Sequence, residues 1–113
     1  MIHVQISSHE SSDTKVIIVT GEYGFGGSGN DDANYIYDYI IDYLNTDNPK
    51  HIILDLSQMH YAFGNRIANL FINLGNEDIE YTLSGECRAA YESLFNFLGP
   101  NIRDAITEKV KYQ

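Results

Sequence analysis

Residues 50–74, KHIILDLSQMHYAFGNRIANLFINL, constrain the fold more than any other stretch of the chain. They open on an apolar run, the mark of a buried strand. From Arg66 onward the apolar residues recur as Ile67, Leu70, Phe71 and Leu74, the spacing of an amphipathic helix, with Ala68 and Ile72 pointing the other way. The turn between the two periods is Phe63-Gly64-Asn65. A strand that feeds straight into a helix is the unit of parallel α/β sheets, where function gathers at the carboxyl ends of the strands.

The flanking segments repeat the theme. Ile2, Val4 and Ile6 alternate with His3, Gln5 and Ser7, predicting a half-buried strand. A polar, turn-forming stretch over 7–14 follows, then residues 15–20 (KVIIVT), apolar on both faces and expected to be a more central strand paired as a hairpin with the first. The glycine-rich loop 21–30 leads into a helix that Asn30, Asp31 or Asp32 would cap and that 46–49 would end at Pro49. Ala33, Ile36, Ile40, Tyr43 and Leu44 form its inward face, and Ile41 falls on the polar side. Residues 79–83 read as a short strand, followed by a helix with Cys87, Ala90, Tyr91, Leu94 and Leu98 inward. Gly99-Pro100 breaks that helix, and the tail 101–113 is expected to form a short amphipathic helix on Ile102, Ile106 and Val110. The resulting order, β-β-α-β-α-β-α-(α), predicts a single α/β domain over 1–113 with a mixed four- to five-stranded sheet packed by helices.

Composition narrows the function classes. The formal net charge is −9, with nine acids against two lysines in residues 1–56. Such a balance argues against nucleic acid, which needs cationic side chains for its phosphates, and against anionic membranes. The apolar runs are too short to span a bilayer, and the stretch MIHVQISSHE does not read as a secretory signal. One cysteine, Cys87, fits a reducing compartment, so a cytoplasmic location is expected.

The opening stretch resembles the STAS domain of the bacterial anti-sigma-factor antagonists. Leu54-Asp55-Leu56-Ser57 falls on that family's L-D-L-S strand, and Val19-Thr20-Gly21-Glu22 on the end of its second strand. Ile67, Leu70 and Phe71 fall on the buried helix positions, and Leu83-Ser84-Gly85 with the following helix on the last strand–helix unit. The resemblance spans roughly residues 15–102. It implies a non-enzymatic regulatory module without a cofactor, whose partner is a protein such as a kinase-like anti-sigma factor. The family's D-S-[ST]-G becomes Phe63-Gly64-Asn65-Arg66, so Gly64 stands where the phosphorylated serine would be. A phosphoserine switch adds a charge of about −1.5 to −2 at a helix start, which Gly64 cannot carry. Asn65 is then expected to cap the helix. Partner contacts are expected from Phe63, Gly64, Asn65, Arg66 and an exposed Ala68/Ile72 face, and Gly64→Asp is expected to weaken binding without unfolding the domain.

Two other readings stay open. Residues 24–29 fit G-x-G-x-x-G between a strand and a helix, so Gly24, Gly26 and Gly29 would frame a small-ligand or nucleotide loop. Asp31 and Asp32 oppose it by repelling phosphate. Alternatively, the acidic helix over 31–47, crowded with Tyr35, Tyr37, Tyr39 and Tyr43, would cover a basic partner as an inhibitor or immunity-type protein does. His3, His9, His51 and His60 show no metal-ligand spacing, Cys87 reads as core, and Asp55 reads as structural.

Overall fold

The chain is described here by a computed structural model covering residues 2–11, 13–24, 27–47, 51–62, 64–75 and 77–113. Strand β1 (Val4–Ser11) pairs antiparallel with β2 (Thr14–Glu22), Val4 facing Gly21 and Ser11 facing Thr14. The stretch expected as a polar link is therefore mostly strand. As an edge strand with solvent on one face, β1 tolerates polar side chains that the neighbouring ladder holds extended. Helix α1 (Gly27–Asp47) crosses to β3 (His51–His60), and α2 (Ala68–Asn73) crosses to β4 (Ile79–Leu83). A 3-10 turn at Gly85–Cys87, α3 (Arg88–Phe97) and α4 (Pro100–Thr107) lead to β5 (Val110–Tyr112). The predicted stop at Asn48 and Pro49 lies outside the described residues.

The sheet order is β1-β2-β3-β4-β5, with every pair after the first parallel. Each new strand is laid beside its predecessor in the same direction, and right-handed crossovers then place the helices on one face. Burial follows that geometry. Ile52, Leu54 and Leu56 of β3 and Ile79, Tyr81 and Leu83 of β4 are buried, while the alternate residues Ile53, Asp55, Glu80 and Thr82 are only half-buried. In β2, Ile17 and Val19 are buried, and Val16 and Ile18 lie half-buried on the open face.

Asp55 sets the phase of β3. Ile18 pairs with Asp55, but Thr20 pairs with Gln58, so β3 carries one extra residue in a bulge. A bulge releases a backbone N–H from the ladder, and here Ser57 donates its N–H at 2.9 Å and its hydroxyl at 2.5 Å to the same Asp55 oxygen. Past the bulge the inward positions change parity, which turns Met59 and Tyr61 into the core. The L-D-L-S segment is thus a phase shifter.

Rings fill the space between sheet and helices. Tyr23, Tyr61, Tyr91, Phe95, Phe71 and Tyr81 form a continuous row with centroid separations of 5.4, 4.6, 6.2, 5.3 and 4.8 Å. Offset and edge-on contacts of this kind add to the burial of the rings. Phe95 belongs to the core, whereas Ala90 and Leu98, expected to be fully inward, are half-buried. Ile41 packs partly against the core, because the tyrosines beside it widen the covered face of α1. The tail also departs from expectation. The helix stops at Thr107, and Val110 instead pairs with Tyr81 in β5, since extending β4's ladder satisfies backbone groups that a longer helix would leave facing the sheet edge.

His51, at the start of β3, is held from both sides: Nδ1 lies 2.9 Å from Asp78 and Nε2 lies 3.3 Å from Glu80. A neutral imidazole has one N–H and cannot donate to both. Burial lowers its pKa, but the hydrogen bonds and charges of Asp78 and Glu80 outweigh that and leave it raised. A raised folded-state pKa stabilises the fold below the ordinary value of about 6.5, and the contribution is lost as pH rises through the folded value. Thermal melts should therefore show His51→Gln losing more stability relative to the parent near about pH 5.5 than near about pH 8.5.

Candidate functional site

The carboxyl end of β3 leads into the corner singled out by the sequence. His60 accepts the Tyr23 N–H at 2.9 Å, which extends the β2–β3 pairing to the mouth of the corner. Tyr61 then turns inward, donating its N–H to Cys87 Sγ at 3.3 Å and its hydroxyl to the Gly64 carbonyl at 2.7 Å. Burial pushes the Tyr61 phenol up to about 12, so it remains a hydrogen-bond donor at neutral pH. Cys87 is buried, and His60 Nδ1 approaches its sulfur at 3.7 Å. Sequence spacing gave no hint of this pairing, because the two residues sit on different strand–helix units.

Gly64 adopts φ +130°, a backbone that favours glycine, and a Cβ there would lie 3.1 Å from the Tyr23 ring. Gly64→Asp, expected to weaken binding without unfolding the domain, is therefore strained on both counts and would lower stability. Asn65 does not cap the helix. Its carbonyl accepts the Ala68 N–H and Arg66's accepts the Asn69 N–H, both at 3.1 Å, and the cap position is Ile67 with no side-chain bond. Ala68, which follows these i→i+3 turns, is buried rather than exposed. Phe63 lies outside the described residues.

Asn65 and Arg66 are exposed. With Ala62 and Gly64, Asn65 borders a shallow cleft of about 170 Å³ whose far wall is Ser93 and Phe97 of α3. Phe97 is 73% exposed, against 39 to 51% for Ile2, Ile72 and Ile102, the other exposed large apolar side chains among the described residues. Ile72 is exposed as expected but belongs to a separate groove between α2 and α4. The structure thus brings Gly64 and Asn65 together with Phe97, which the sequence did not single out, and separates them from Ile72.

The glycine-rich loop is organised around a buried carboxylate. Asp32 is fully buried in the second turn of α1, where it accepts the His3 N–H at 2.6 Å and the Gly24 N–H at 2.7 Å. His3 Nδ1 lies 3.5 Å away. The helix begins at Gly27, so Asn30, Asp31 and Asp32 lie inside it rather than at its cap, and Asp32 ties back to Gly24. A Cβ at Gly29 would meet the Gly24 carbonyl oxygen at 2.5 Å, and one at Gly24 would meet Ser28 Cβ at 2.6 Å. The glycines allow loop and helix to touch, and the Gly24 N–H that an anion would need is bonded to Asp32. Gly26 lies outside the described residues. On α1 the tyrosines are half-buried against the core, and the exposed ridge is Asp31, Asn34, Asp38, Asp42 and Asn45. Among the described residues no group of three or more His, Cys, Asp or Glu side chains is placed to hold a metal, and no helix is long and apolar enough to cross a membrane.

The class that fold and site define is an α/β domain with a five-stranded mixed sheet and helices packed on it. No protein-family model matches the chain, and no curated protein matches it in sequence.

Two substitutions test the structural assignments. Asp32→Ala strands two backbone donors and should lower stability by about 2–4 kcal/mol in urea unfolding. Gly64→Ala forces a Cβ onto the left-handed backbone and should cost about 1–3 kcal/mol by the same measurement.

Proposed function

We propose that this domain is a non-enzymatic, STAS-like protein-interaction module that works without a phosphoserine switch. It takes a regulatory protein partner, such as a kinase-like anti-sigma factor, at the corner between β3 and α2. The observation that carries this reading is the cleft where Gly64 and Asn65 face the exposed Phe97 ring. A large exposed aromatic beside a cleft is the kind of anchor on which protein interfaces concentrate their binding energy. The likeness of residues 54–57 to the family's third strand gives further support. Gly64 offers no hydroxyl to a kinase, and a side chain at that position would meet the Tyr23 ring. Regulation then acts on the partner or on its supply rather than on a charge added at residue 64.

Phe97→Ser and Asn65→Ala remove the two sides of the cleft and leave Gly64 intact. With tagged bait in native lysate, a partner retained by the parent should be recovered at least about tenfold less by Phe97→Ser, a loss of about 1.4 kcal/mol or more, while both proteins melt alike. Mass spectrometry of the recovered bait should find no phosphate on residues 64–66. Equal recovery by parent and both variants would remove the corner from the reading. A partner released by moderate salt, with no dependence on Phe97, would point to the acidic ridge of α1 instead.

A further inference from the structure

Two of the chain's three arginines, Arg88 and Arg103, line one cleft between α3, α4 and β5. In a chain of formal net charge −9, such a gathering of cations is the exception. The cleft holds about 300 Å³, at the lower end of the range of small-molecule sites, and shares no lining residue with the corner that borders Phe97. Its base is apolar, made by Phe95 and Val110, and Asn96 and Thr107 stand at its polar rim.

Both arginines reach toward the same stretch of α3. Arg88 leans one turn along its own helix, donating Nε–H to Glu92 at 2.6 Å, and its guanidinium carbon lies 4.6 Å from the centre of the Tyr112 ring. Arg103 reaches across from α4, donating from Nη1 to Asn96 at 3.4 Å and from Nε to its neighbour Asp104 at 3.0 Å. Glu92 and Asn96 are four residues apart on α3, about 6 Å along the helix axis. The two guanidinium groups therefore flank a gap of about one helical turn, which a single anionic group can bridge.

The donors are there to be used. A guanidinium carries five N–H groups, and among the described residues Arg88 commits one and Arg103 two. The side chains are 61% and 40% exposed, so the remaining N–H groups are open to a ligand from solvent. The ion pair with Glu92 and the stacking on Tyr112 hold Arg88 in place beforehand, which reduces the side-chain freedom lost on binding. The acids nearby limit the charge that fits. Glu92 lines the cleft and Asp104 sits beside Arg103, so a dianion would be repelled more than a single charge. A carboxylate carries one charge and matches the guanidinium fork with its two oxygens. The apolar base suits an organic body attached to it.

We propose that the cleft between α3, α4 and β5 binds a small organic monocarboxylate with an apolar body. The carboxylate takes N–H groups from Arg88 and Arg103, and the body lies against the base formed by Phe95 and Val110. The site is independent of the partner reading and is tested apart from it.

The test is an NMR titration of the whole chain at neutral pH with 3-phenylpropanoate, its neutral isostere 3-phenylpropanamide, and phenyl phosphate. The carboxylate should give saturable shifts centred on Arg88, Asn96, Arg103, Thr107 and Val110, and bind at least about tenfold more tightly than the amide. Arg88→Gln and Arg103→Gln, both on exposed side chains, should each bring the carboxylate to within about threefold of the amide while melting like the parent. Should Arg88→Gln loosen β5 by losing its place over Tyr112, Arg103→Gln carries the test alone. Tighter binding of phenyl phosphate than of 3-phenylpropanoate overturns the monocarboxylate assignment. Equal binding of carboxylate and amide by the parent, absent saturation, shifts centred elsewhere, or unchanged carboxylate binding by Arg103→Gln each overturns the site.

Discussion

The constraint on which this molecule rests is the one-sided wrapping of its sheet. Strands placed side by side in chain order, with crossovers of one hand, send the helices to the same face, so a single core layer must hold the domain together. A row of aromatic rings runs through that layer among its aliphatic side chains, from Tyr23 at one end to Tyr81 at the other. Large flat side chains suit the task, since each reaches from the sheet into the helical layer and touches neighbours on both sides. The phase shift at Asp55 is what lets Tyr61 join the row, so a half-buried carboxylate on the open face decides which rings meet on the covered one.

The same arrangement explains where features of interest accumulate. The row ends near the Gly64 corner on one side and beneath the α2–α4 groove on the other. Both places are gaps in the helical cover, where turns or short helices leave ring edges near the surface. Asp32 performs the complementary task at the remaining end. By accepting two backbone N–H groups from separate segments, it closes the seam between the first strand, the glycine-rich loop and α1 with one side chain. Buried carboxylates are tolerated where donors surround them, and here the donors are main-chain groups that would otherwise lack partners.

Much of this was legible in the sequence, for physical reasons that can be named. Ile67, Leu70, Phe71 and Leu74 announced a helix because only one periodicity fits them, and all four are buried. Ile79, Tyr81 and Leu83 announced a strand by simple alternation. What stayed hidden depended on distant partners or on very short elements. Val110 to Tyr112 is a strand because β4 offers it a ladder, and three residues carry no period of their own. The burial of Asp32 depends on an N–H supplied 29 residues earlier by His3. Ala68, read as outward from a uniform helical period, is buried where the chain enters the helix through tighter i→i+3 turns. At the candidate site, Gly64 and Asn65 could be read from the turn, but Phe97 was invisible because its exposure depends on how α3 ends beside that turn.

The neighbour-to-neighbour strand order has a kinetic consequence. Thr14 pairs with His51, Ile52 with Ile79, and Tyr81 with Val110, so each ladder closes one crossover and none skips a strand. Sheets whose middle strands come from remote parts of the chain must close long loops before any pairing stabilises them, and they fold slowly for that reason. Here the β1–β2 hairpin can form from local contacts, and every later strand adds to an edge already in place. The growing sheet gains its new strands at one edge, while β1 stays at the other. The final addition, β5, is three residues long with Lys111 at its middle, a poor template for another chain to join.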